Sequence, residues 1–125
     1  MLKILEKIIA SGDIPSEYNI GNKPVIYLWD YKSFKIIFKF QTSHKNGIIH
    51  LSFSKDGKYL LSIAFDALFS LEIFDVENFF SVAFINSGNF PIFDASFYGN
   101  ASNNFITVGY RNISLWKIKG RYIKK

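Results

Sequence analysis

His44 and His50 are the first residues to test for chemistry in this sequence. A histidine can serve as the base of a nucleophilic triad, but triads are defined by geometry rather than by residue types. His44 lies in the run Thr42-Ser-His-Lys-Asn-Gly47, and His50 has no second ligand at a metal-like spacing. Asp30, Asp66, Asp75 and Asp94 fall mainly at strand ends and turns, where an aspartate bonds its own backbone. A paired acid–base role for these carboxylates needs two of them converging, and nothing in their spacing requires that. There is no cysteine, which excludes thiolate nucleophiles, disulfides and sulfur-based zinc sites. The glycines are isolated, with no phosphate-cradling G-x-x-x-x-G-K or G-x-G-x-x-G pattern. Phe34-Lys-Ile-Ile-Phe-Lys-Phe40 interleaves aromatics with lysines and could stack bases, although packing of an alternating outer strand accounts for it. The expectation is a non-enzyme with no catalytic residue, no cofactor and no metal.

The elements around these residues must be apolar and folded. Of 125 residues, 49% are hydrophobic and 18% aromatic, with 14 phenylalanines. Disorder requires low hydrophobicity, so such a chain folds, associates or aggregates. The net charge is +5, from 15 basic and 10 acidic residues. The one basic cluster is Lys117, Lys119, Arg121, Lys124 and Lys125. It reads either as a foothold on an acidic partner or as a solvated stretch that keeps an apolar chain in solution. Glu6 and Lys7 interrupt the apolar start, which removes a signal-peptide core, and no apolar run reaches the ~18 residues of a membrane span. Without a secretory route the sequons at Asn100 and Asn112 read as accidental, and the absence of cysteine points to a reducing compartment.

Internal repetition organises the chain. Val25-Ile-Tyr-Leu-Trp29-Asp30, Phe69-Ser-Leu-Glu-Ile-Phe74-Asp75 and Asn112-Ile-Ser-Leu-Trp116-Lys117 end alike, at a period of about 40–45 residues. Two further pairs keep the same register. Ile48–Phe53 matches Ile92–Phe97, and Tyr59–Ala64 matches 104–109. The segments are short, β-branched and aromatic, and bounded by Gly, Asn, Asp or Pro, as strands are. Ser54-Lys-Asp-Gly57 is a tight-turn signal. The order of strands gives an incomplete first unit over 1–41, with strands at 6–12, 24–30 and 35–41 and its opening strand missing. A second unit over 42–86 and a third over 87–125 follow. Leu2, Leu5, Ile8 and Ile9 also fit an amphipathic helix, which stands as the local alternative over 1–7. Residues 13–23, with Pro15, Asn19 and Gly21, read as a long surface loop.

This pattern resembles the WD-repeat β-propellers, and within them the echinoderm microtubule-associated-protein-like (EMAP-like) family. The residues that carry the second resemblance are Ile8-Ile-Ala-Ser-Gly12, the long loop, and Pro24-Val-Ile-Tyr-Leu-Trp29-Asp30, and the match runs from about Leu5 to Gly120. The resemblance implies an all-β fold, a partial WD-repeat propeller of two to three four-stranded antiparallel blades. The implied repeat markers are Trp29, Asp30, His44, Ser62, Asp66, Phe74, Asp75 and Trp116, with Phe74 in a signature Trp position and Lys117 in place of Asp. In WD repeats the junction histidine bonds a turn aspartate and a strand serine, which implies a structural role for His44 with Asp66 and Ser62. The function implied is a non-catalytic scaffold in microtubule, cytoskeletal or axonemal assembly, located in the cytoplasm, cytoskeleton and cilium. The rival is a basic WD-repeat adaptor in an RNA- or chromatin-associated complex. Protein partners, tubulin or microtubules by resemblance, are expected ahead of nucleic acid, and no membrane is expected. A propeller closes with roughly four to eight blades, so the sequence reads as a piece of a longer ring whose remaining blades cover its open faces. Self-association is the alternative.

Overall fold

The computed structural model describes residues 2–5, 7–14, 23–88, 90–100 and 102–125. It contains β1 (Leu2–Leu5), β2 (Ile8–Gly12), β3 (Val25–Asp30), β4 (Ile36–Gln41), β5 (Ile48–Phe53), β6 (Tyr59–Ala64), β7 (Ser70–Asp75), β8 (Phe80–Asn86), β9 (Ile92–Phe97), β10 (Asn104–Gly109), β11 (Asn112–Lys119) and β12 (Tyr122–Lys124). They form three four-stranded antiparallel sheets, each a run of four consecutive strands. No helix occurs among the described residues. Most of the long loop at 13–23 lies outside the described residues.

The first sheet corrects one expectation. Its opening strand is present: Leu2–Leu5 pairs with β2 from Leu2↔Ser11 to Leu5↔Ile8. The helical alternative over 1–7 does not form. A helix there would leave the inner edge of β2 unpaired, and an unpaired edge is costly in an apolar sheet. β1 fills that edge and also contacts β5 of the next sheet.

The strand pairs show that the three sheets repeat residue by residue. Ile9↔Trp29, Leu60↔Phe74 and Phe105↔Trp116 occupy equivalent places. So do Ala10↔Leu28, Leu61↔Ile73 and Ile106↔Leu115 on the opposite faces. Trp29, Phe74 and Trp116 therefore hold one position in three blades. Alternation along a strand sends neighbours to opposite faces, so each blade has one face carrying the Trp or Phe marker and one carrying aliphatic residues.

Stacking these faces makes the core. One cluster joins blade 1 to blade 2 through Ala10, Ile26, Leu28, Phe40, Leu60 and Phe74, with the Phe40 and Phe74 rings 4.6 Å apart. A second joins blade 2 to blade 3 through Leu61, Ile63, Leu71, Ile73, Phe105 and Trp116. Blade 2 is thus covered on both sides, and every residue of β7 is buried. The inner strands run side by side, with β5 in contact with both β1 and β9. Gly109 is set by packing: a Cβ there would lie 2.1 Å from the Pro91 carbonyl oxygen, so no larger residue fits beside that link.

Candidate functional site

His44 sits in the link from β4 to β5 and is fully buried. Its Nε2 lies 2.7 Å from Ser62 Oγ on β6 and its Nδ1 2.6 Å from Ser70 Oγ on β7. Ser70 Oγ donates to Asp66 Oδ2 at 2.5 Å, and Asp66 Oδ1 accepts from the Ser70 amide at 3.0 Å. A hydroxyl carries one proton. With the Ser70 proton on Asp66, Nδ1–H donates to Ser70, and Nε2 accepts from Ser62. The result is a directed chain, Ser62 to His44 to Ser70 to Asp66.

The electrostatics agree with a neutral imidazole. Burial pulls the His44 pKa down to about 4, against the pull of the Asp66 charge in the other direction. For Asp66 burial is the largest influence and acts upward, but bonds from Ser70 and the Lys45 amide and the nearby His44 outweigh it, leaving the pKa lowered. Glu72, buried on β7, accepts from the Ser43 amide at 2.8 Å and from Ser81 Oγ at 2.7 Å. Its pKa is raised, because burial outweighs those bonds.

Two hydroxyls, Ser62 and Ser70, lie within reach of the His44 imidazole, and both are fully buried. Acyl or phosphoryl transfer would need a reachable nucleophile and donors aimed at a developing charge. The chain of bonds instead ties the β4–β5 link to β6, β7 and the turn between them. His44 meets Ser62 directly but reaches Asp66 through Ser70, which sequence reasoning did not single out. Its signal was the four-residue spacing from Asp66 to Ser70. Glu72 was also missed; a carboxylate alternating with Ser70 in an otherwise apolar strand was the sign.

The equivalent hydroxyls in the other blades meet tryptophans. Trp29 Nε1 donates to Ser11 Oγ and Trp116 Nε1 to Thr107 Oγ1, each at 2.9 Å. Phe74 has no such donor. Blade 2 thus pairs Phe74 with a histidine on its hydroxyl, where blades 1 and 3 use an indole. Asp30 and Asp75 organise the β3–β4 and β7–β8 turns. Asp30 Oδ2 accepts from Ser33 N and Oγ, and Asp75 Oδ1 accepts from the Glu77 and Asn78 amides. Both turns close with an amide bond from a phenylalanine at positive φ, Phe34 and Phe79, to the aspartate carbonyl. Lys117 offers no acceptor, and the corresponding connection is a short hairpin at Gly120-Arg121 with Gly120 at φ 59°. His50 is half-buried on β5, Asp94 caps its neighbour Ala95, and no cluster of three or more His, Asp or Glu side chains that could hold a metal occurs among the described residues.

What the chain presents outward is two blade faces. Ile113 and Leu115 are 68% and 56% exposed, whereas Leu71 and Ile73, their equivalents in blade 2, are fully buried under blade 3. On blade 1, Tyr27 and Trp29 lie on the face away from blade 2, with rings 5.9 Å apart. Phe34, Ile36 and Ile37 are exposed nearby.

No protein-family model matches the chain. Among solved structures it is similar to the β-propeller domain of Cps50 (Swd1) from Myceliophteria thermophila, with a TM-score of 0.73 and 18% identity over 94% of this chain and 33% of that one. The chain thus spans about a third of that propeller's length. The likeness is one of fold, and it agrees with the residue-by-residue repeat: the chain is three four-stranded blades of a β-propeller.

Proposed function

We propose that this chain is a non-catalytic propeller scaffold that works by contributing blade surfaces to a protein assembly. One observation carries the reading. Aliphatic residues that are buried between blades elsewhere in the chain stand in solvent on blade 3. Exposed apolar surface of this kind marks interaction sites, and repeat units bury their faces against neighbours. The arrangement of His44, Ser70 and Asp66 is consumed by internal bonds.

The finer reading is a role on microtubules, in the cytoplasm, cytoskeleton and cilium. Its support is the resemblance carried by Ile8–Gly12 and Pro24–Asp30 to the EMAP-like family. Co-sedimentation with taxol-stabilised microtubules tests it. The chain is expected in the pellet with microtubules and in the supernatant without them, and equal partition removes the microtubule role. A second reading, a basic adaptor in a nucleic-acid-associated complex, is favoured by the lysines that β11 and β12 bring to one face of blade 3.

A further inference from the structure

The link from β4 to β5 holds the one Asn-Gly pair in the chain, Asn46-Gly47. It enters blade 2, which has a blade on either side, so no further blade covers it. Neither residue takes positive φ, so the pair is not the two-residue hairpin turn that Asn-Gly favours. Asn46 is half-buried, and the Gly47 amide donates to Asn46 Oδ1 at 2.8 Å. That amide has no other acceptor among the described residues. Its nitrogen is therefore held against the side-chain carbonyl group of the residue before it. Glycine brings no Cβ to hinder a closer approach, and reacting groups kept in contact have part of their barrier already met.

The reaction open to this pair needs no partner but water and base. The Gly47 nitrogen gives up its proton and attacks Asn46 Cγ. An N–C bond forms, the bond from Cγ to Nδ2 breaks, and Nδ2 leaves as ammonia, taking one proton back. The product is a cyclic imide, which one water opens at either carbonyl. Opening at the side-chain carbonyl gives aspartate. Opening at the main-chain carbonyl gives isoaspartate, whose main chain runs through Cβ and Cγ and is longer by one atom. Nothing is oxidised or reduced.

The link has no slack to take up that atom. On one side of Asn46, the Ser43 amide bonds Glu72, His44 bonds Ser62 and Ser70, and the Lys45 amide bonds Asp66. On the other, the Gly47 carbonyl accepts from Phe65 N at 2.8 Å, and Ile48 N donates to the Asp13 carbonyl of blade 1 at 2.6 Å. A longer main chain between these two anchored stretches must break bonds in one of them.

We propose that Asn46 is a site of spontaneous deamidation, and that its isoaspartate product loosens the junction between blades 1 and 2. The test ages the full chain in mildly alkaline buffer made with heavy-oxygen water, once folded and once in urea. Peptide mass spectrometry follows the label, and electron-transfer fragmentation separates aspartate from isoaspartate. Conversion at Asn46 is expected to outrun that at the exposed Asn100, and to be at least as fast in the folded chain as in urea. A folded chain that converts Asn46 more slowly than urea-unfolded chain, or no faster than Asn100, overturns the site. Denaturation then reads the consequence, with circular dichroism checking the fold of each variant. The aged chain is expected to lose about tenfold in its folded-to-unfolded ratio for each buried bond given up. Asn46→Gln, whose longer side chain closes the ring poorly, is expected to age without that loss. Fresh Asn46→Asp, which carries the new charge on an unchanged main chain, is expected to keep the stability of the natural chain. Unchanged stability in chains that carry isoaspartate overturns the loosening, as does an equal loss in fresh Asn46→Asp.

Discussion

At the residue scale, the three hydroxyls Ser11, Ser62 and Thr107 hold one blade position, and each is given a nitrogen partner. The indole N–H of Trp116 is buried with Thr107 as its acceptor. Thr107→Val keeps the shape and removes the acceptor, and leaving a buried donor unpaired costs about 1–3 kcal/mol. Chemical denaturation should show that loss with little change in the dependence on denaturant. His44 makes stability pH-dependent. Its folded pKa of about 4 is below the ordinary 6.5, so the unfolded chain binds the proton first. Stability is therefore highest above pH 6.5 and falls as pH drops toward 4, by about 3 kcal/mol across the window. Glu72 acts in the opposite sense. Its raised pKa favours the folded state at low pH, and that contribution is lost as pH rises through the folded value. Unfolding titrations on the Glu72→Gln background isolate the His44 contribution, and His44→Gln should flatten the acid limb. An unchanged acid limb in His44→Gln would place the titrating group elsewhere.

At the element scale, the turns show how a changed residue is absorbed. Asp30 and Asp75 hold turns that carry a phenylalanine at positive φ, while the Lys117 blade uses a hairpin with a glycine in that conformation. Asp75→Ala removes two side-chain hydrogen bonds from backbone amides and one from the Asn78 side-chain amide and should cost about 1 kcal/mol. Gly109→Ala should cost about 1–3 kcal/mol or more, because the new methyl meets the Pro91 carbonyl. Thermal unfolding measures both. The strands of blades 2 and 3 were legible in the sequence because the Trp29, Phe74 and Trp116 segments recur in one register with turn residues between them. β1 was not, because Leu2, Leu5, Ile8 and Ile9 satisfy helical spacing as well as a hairpin. The choice is made by tertiary pairing with Ile8–Gly12, which no local pattern contains. The junction network was half legible. The resemblance to WD repeats implied the pairing of His44 with Ser62, but the bridge through Ser70 depends on how the β6–β7 turn folds back. β7 starts at Ser70, one residue inside the Phe69–Asp75 repeat segment, because Phe69 takes positive φ just before it.

At the scale of the whole molecule, three blades stack so that each marker face rests on the aliphatic face of the blade before it. Two faces are left over, the Tyr27–Trp29 side of blade 1 and the Ile113–Leu115 side of blade 3. Each has the chemistry of the surfaces already mated inside the chain, so further blades, from other polypeptide or from other copies, are their natural cover. An interface joining two unlike faces is heterologous and builds rings or open stacks. The most direct measurement is the mass of the isolated chain by light scattering, beside that of Ile113→Lys/Leu115→Lys, whose changes fall on side chains that face solvent. Species above the monomer mass for the natural chain, and a folded species of lower mass for the variant, are predicted. A sharp monomer peak for the natural chain at all concentrations would contradict the account, because its blade faces would then need no cover.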